Sequence, residues 1–221
     1  MRTWTVIAAL VAALLVAPAR AAEPLNPYVL DVVSSYPADG RWPYAWSPNR
    51  HDDGVTRVLS WRGQILARPD ARSSIHCSGI TYEVFVRALA AASAALGEAL
   101  RAPSAALLLD LKETWYVRDG SERGPVAALI RAGLGEPVER LQDLQPGDFV
   151  QFWRNSGKGH SAVFIRHRNL RDGVPRGMEY WSAQSSSGGI GRRYVSEGNA
   201  TSQIGPGQLF GVRPVLPLAS R

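Results

Sequence analysis

The chain has 221 residues, a formal net charge of +6, one cysteine and 45% hydrophobic residues. That length and apolar content suit a full hydrophobic core undivided by linkers, repeats or low-complexity blocks, which excludes a disordered or fibrous chain. One cysteine excludes an internal disulfide framework, and arginines scattered singly exclude the dense basic stripe of a nucleic-acid reader.

The opening stretch reads as a signal peptide over residues 1–21. Arg2 supplies the positive start, Thr5 to Val16 the apolar run, and Ala19-Arg20-Ala21 the cleavage signal. Pro18 and Arg20 close the apolar run before the ~20 residues a membrane span needs. The sequence therefore predicts export to the periplasm or beyond the cell, no stable membrane insertion after cleavage, and a single domain over 22–221. Without Arg2 and Arg20 the mature chain has 23 basic and 19 acidic residues, 23 − 19 = +4. Such a mild excess favours loose association with anionic polymers such as cell walls.

Residues 24 to 62 are rich in proline and aromatic residues and read as an irregular segment ending in a short strand near "VTRVLSWR". Within it Trp42, Tyr44 and Trp46 alternate; they either flank a sugar or peptide or pack over the core. His51 falls in the polar loop "NRHDDG", where a solvated histidine is expected. From Cys77 the pattern changes: Ile80, Val84, Ala88 and Leu89 recur at helical spacing, predicting a buried helix that ends near Gly97 and before Pro103. Ser73, Ser74 and Ser78 are candidate caps for its first turn, and Gly79 leaves room for a substrate. Ala105 to Arg118 reads equally as a helix or an extended insertion. "GPVAALIRAGLG" predicts a short helix with Pro125 in its first turn and Gly133 or Gly135 at its end.

Beyond Glu139 the period falls to two. "DFVQFWR", "HSAVFIRH", "MEYWSAQ" and "GQLFGVRPVL" predict consecutive antiparallel strands, so the class is α+β. Alternation places His160 with Ala162, Phe164 and Arg166 on one face and His167 on the other.

Three readings of the lone thiol are open: a small core residue, a dimer cross-link, or a reactive group. A helix N-terminus favours thiolate over thiol, and Cys77 is placed where that would happen. A nucleophilic cysteine needs a base. His76 adjoins it but projects differently and is expected to line the site; His160, at the mouth of a strand, is the candidate base. On the next strand Ser182 and Gln184 share a face, and Gln184, with the longer reach, is the preferred third residue, Ser182 the alternative. Ser78, Trp42 and Arg192 are further candidates for substrate contact, Arg192 and Arg193 either holding a substrate carboxylate or remaining solvated. Four scattered histidines and one cysteine give no metal-ligand spacing, and no glycine run opens a dinucleotide-binding helix, so neither metal nor cofactor is expected.

"CSG" at the head of a buried helix, a short helix ending in "GLG", and "LQPGDFVQFW" leading into "HSAVFI" together resemble the NlpC/P60 superfamily of papain-like cysteine peptidases and amidases. The resemblance runs from Ser74 to Gly191. It implies a papain-like α+β fold with the catalytic helix packed on an antiparallel sheet. It also implies Cys77 as nucleophile, His160 as base, a polar residue on the next strand as orienter, and the peptide part of bacterial cell-wall peptidoglycan as substrate. Asp148 matches the family's turn aspartate, a structural residue. His76 stands where the family usually has aspartate, and the familiar third histidine is absent. The interval from Cys77 to His160, 160 − 77 = 83 residues, implies an insertion around 102–123 that could edge the cleft. Two other readings remain beside it: a hydrolase of an amide or ester in another polymer or protein, and a non-catalytic wall-binding module with Cys77 in the core.

Overall fold

The computed structural model describes residues 23–46, 52–97, 100–118, 120 and 122–216; the signal peptide expected over 1–21 and His51 lie outside them. The elements in order are β1 (Glu23–Pro24), α1 (Asn26–Ser34), β2 (Leu59–Trp61), β3 (Gln64–Ala67), α2 (Cys77–Leu96), α3 (Ala105–Trp115) and α4 (Pro125–Arg131). Then follow β4 (Gly135–Val138), β5 (Phe149–Arg154), β6 (Gly159–Arg171), β7 (Val174–Gln184), β8 (Gly189–Ser196) and β9 (Ile204–Leu216). The fold is α+β, the helices preceding most of the main sheet; β1, at the start of the chain, is the exception, and the separate β2–β3 hairpin falls between α1 and α2.

The helix from Cys77 forms over the expected residues. Ile80, Val84, Ala88 and Leu89 are fully buried, and Gly97 ends it at a positive φ of 54°. Its length and apolar content would suffice to cross a bilayer, but most of it is buried inside the protein. The segment that could have been helical or extended is α3, started by Ser104, whose Oγ accepts from Leu107 N–H at 3.1 Å. Pro125 opens α4, and Gly133, at φ 66°, follows it. Within the irregular stretch expected before residue 62, α1 is a departure: Pro27 fits a first helical turn, and Val29, Val32 and Val33 place one apolar stripe against α2.

The antiparallel sheet runs β1-β9-β5-β6-β7-β8, with β4 also on β9. Asp172 and Gly173 form the two-residue β6–β7 turn, both at positive φ, as a tight hairpin requires. The sheet buries both faces. Phe149, Val163, Trp181, Ala183 and Val212 meet the helices, while Val150, Phe152, Ala162, Phe164, Met178 and Tyr180 form a second core where the sheet curls over Leu141 and Leu144. Register shifts in β5 between Phe152 and Arg154 and in β6 between Phe164 and Arg166 mark the bulges that bend it. The second bulge corrects the expected place of His167. One extra residue returns it to the face of Phe164, whose ring lies 4.9 Å away, and its Nε2 meets Leu141 O at 2.8 Å.

Candidate active site

Cys77 is the first residue of α2. The residue before it, extended at φ −139°, is the helix cap: His76 Nδ1 accepts the Gly79 N–H at 3.1 Å. The serines expected in that role do otherwise. Ser74 Oγ donates to Asp70 at 2.6 Å, and Ser78 Oγ lies 3.4 Å from Ser161 Oγ. Because Nδ1 accepts, the imidazole proton sits on Nε2, which is 3.4 Å from both Asp52 Oδ1 and Asp52 O.

Gly79 does not open space for a substrate, as the sequence suggested. A side-chain carbon there would lie 2.2 Å from Asp53 O and 2.3 Å from Gly54 O. The glycine admits the chain's own 52–54 strap, tied down by Lys112 Nζ on Asp53 Oδ1 at 2.9 Å and by Tyr116 Oη on Asp53 O at 2.5 Å. Gly54 is needed for the same packing, at φ 58° with the His76 ring against its α-carbon.

His160 is the second residue of β6, opposite Phe152 of β5. Its ring lies 5.5 Å from Phe152 and 5.4 Å from Tyr180, and its Nε2 is 3.3 Å from Gln184 Oε1 at the end of β7. Gln184 is itself oriented: its amide nitrogen donates to Ser187 Oγ at 2.6 Å and to Gly191 O at 3.3 Å, leaving the amide oxygen toward the imidazole. An oxygen can only accept, so neutral His160 carries its proton on Nε2 and keeps a lone pair on Nδ1. Ser182, the alternative third residue, is buried and donates to Ser161 O at 2.7 Å; it braces β6 rather than meeting the ring.

A cleft of about 1340 Å³ joins these groups. Cys77, His160, Gln184 and His76 all line it, together with Tyr44, Trp46, Asp52, Tyr116, Arg118, Trp153 and Arg154. The 43–45 segment is held beside the start of α2 by Ala45 N–H on Ile75 O at 2.9 Å and Ile75 N–H on Pro43 O at 3.0 Å. The segment around 102–123 does edge the cleft, through Glu113, Tyr116, Val117 and Arg118.

Three expected contacts lie elsewhere. Ser78 does not line the cleft and its hydroxyl faces Ser161. Trp42 packs edge-on against Tyr36 at 6.0 Å with Arg41 over its ring at 5.5 Å, so of the alternating aromatics it is Tyr44 and Trp46 that reach the cleft. Arg192 sits 3.7 Å from Glu179, beside Arg166 and Arg168, and Arg193 bonds Ser186; neither lines the cleft. Asp148 is fully buried and fixes its turn by accepting from Gln145 N–H at 2.8 Å. Sequence reasoning missed Arg154, Gln151 and Asp52. Gln151 breaks an apolar strand and accepts from Ser161 Oγ at 2.7 Å, a signal that an interior polar residue gave in principle.

Electrostatically the pair at the centre is neutral. Burial pushes the Cys77 thiol up, against smaller opposing hydrogen bonds from Ser161 and Ser78. Burial, then the nearby Arg154 charge, pushes His160 down to about 3, although the Gln184 bond works the other way. The thiolate expected from the helix N-terminus is thus outweighed by desolvation. Among the described residues no group of three or more His, Cys, Asp or Glu side chains is placed to hold a metal ion. No family model, curated protein or solved structure matches the chain.

Proposed function

We propose that the chain is an exported cysteine hydrolase on a papain-like scaffold of the NlpC/P60 type, cleaving an amide in the peptide part of cell-wall peptidoglycan. The observation that carries this reading is the meeting, in one cleft, of a thiol at a helix start, an imidazole from a strand, and a glutamine that fixes the imidazole tautomer. As the Cys77 sulfur attacks the amide carbon, Nδ1 of His160 takes the thiol proton. The imidazolium then gives that proton to the leaving amine, and water hydrolyses the thioester with His160 again as base. Gln184 Oε1 accepts the Nε2 proton throughout and holds the ring.

Burial of a neutral pair favours a second reading, a non-catalytic wall-binding module in which Cys77 is a core residue. Digestion of purified wall material by wild type and Cys77→Ala separates the two. New amine termini released by wild type and lost in the variant support the hydrolase. Wall binding equal in both proteins, with no amine released, supports the module. Amine release from non-wall peptides alone would keep the chemistry and move the substrate.

A further inference from the structure

We propose that Arg154 makes the His160 end of the cleft a carboxylate subsite, so that the amide cleaved lies next to a free carboxylate on the substrate. This inference rests on the hydrolase reading above for its substrate and on geometry for its anion.

Arg154 ends β5, two residues beyond Phe152, and its guanidinium lies over the Phe152 ring at 5.0 Å with Nη2 3.2 Å from Tyr180 Oη. Those same two rings support the His160 imidazole. Cation and imidazole therefore share the same two aromatic neighbours, and both line the cleft. Arg154 is half-buried, and among the described residues no carboxylate lies within ion-pair distance of it. The other charges of the cleft are committed: Arg118 pairs with Glu113 at 3.0 Å and covers the Tyr116 ring, and Asp52 faces His76. Lys158, exposed on the β5–β6 turn, adds a second cation at the same end, where Ser156, Thr201 and Ser202 contribute neutral polar groups and Trp153 an aromatic ring.

A guanidinium has several N–H donors and no acceptor, and a planar carboxylate is the group that takes two of them at once. Arg154 is the half-buried cation of this end and Lys158 an exposed one, so the group seated against the guanidinium is matched by a single planar carboxylate, with Lys158 left to solvent. The placement also bears on the chemistry. Arg154 opposes charge on the imidazole, and a carboxylate seated on Arg154 cancels that opposition when His160 becomes imidazolium. An acidic substrate is then favoured in turnover as well as in binding.

The test uses a peptide library in which Glu and Gln are exchanged at each position around each amide, with cleaved bonds located by mass spectrometry. Wild type is expected to favour Glu over Gln beside the cleaved bond. That ratio of kcat/KM should fall by about tenfold or more in Arg154→Gln and recover in part in Arg154→Lys. A ratio near one in wild type, or one unchanged by Arg154→Gln, overturns the proposal. Independently, Cys77→Ala protein is titrated with the Glu and Gln forms of one peptide while the His160 ring resonances are followed. Glu-selective binding that depends on Arg154 supports the subsite even if no bond is cut, in which case the hydrolase reading alone fails. Equal binding of both forms overturns the subsite.

Discussion

A histidine that burial holds neutral has a cost that pH exposes. The folded protein binds no proton at His160 until about pH 3, whereas an exposed imidazole in the unfolded chain does so near 6.5. Between those values the unfolded state carries the extra proton, so stability is fully present above about 6.5 and falls as pH drops toward 3. The loss from this one residue is on the order of 1 kcal/mol for each pH unit within that window. His160→Asn removes the titrating group. Urea unfolding at several pH values should show a shallower acid limb in the variant than in wild type, and parallel limbs would show that His160 is more exposed than its surroundings indicate. The same neutrality distinguishes the site from a preformed thiolate and imidazolium pair.

At the scale of elements, periodicity made α2, α4 and β5 to β7 legible because their apolar positions recur at 3.6 or 2 residues, and Cys77 and His160 fall at element starts that turn residues announce. β8 escaped because Arg192, Arg193 and Tyr194 are exposed along it and leave little apolar alternation. His167 was placed on the wrong face because a bulge adds one residue without any mark in a run of β-branched and basic residues. The helix cap escaped for another reason: serines are the usual side-chain caps, and only the 52–54 strap, 24 residues upstream in contact with His76, turns that ring to accept from Gly79. Gly79→Ala tests how tightly strap and helix fit. In an open helix Ala is the better former by about 1 kcal/mol, but here its methyl would meet two backbone oxygens at 2.2 and 2.3 Å. We expect destabilisation of about 2 kcal/mol or more, read as a lower thermal midpoint. A raised midpoint would mean that the strap yields easily.

Across the whole molecule, segments far apart in sequence converge on the first turn of α2, where Cys77 sits. The strap at 52–54, the helix start at 76–79 and α3 are joined by Lys112, whose ammonium bonds Asp53 Oδ1 at 2.9 Å and Leu66 O at 2.7 Å, and by Tyr116, whose ring meets His76 edge-on at 5.3 Å. Asp53 in turn accepts from Arg68 N–H at 2.8 Å, tying in β3 and its partner β2. No periodic signal links residues 53, 76 and 112, so this convergence was invisible until the chain was folded; only the long interval between Cys77 and His160 hinted that 102–123 bordered the cleft. The tie has a consequence that reaches the thiol. Lys112→Met keeps most of the side chain's bulk but removes the donor, leaving a largely buried carboxylate and a carbonyl short of a partner, at a cost of about 1–3 kcal/mol. Lys112 itself does not line the cleft, so its loss acts through the strap. If the strap is part of what buries Cys77, alkylation of the folded variant by iodoacetamide should run several-fold faster than in wild type, at the same pH and well below the melting temperature. An unchanged alkylation rate beside a lowered melting temperature would confine Lys112 to stability. The burial of the thiol would then belong to β6 and the cap alone, through Ser161 and His76.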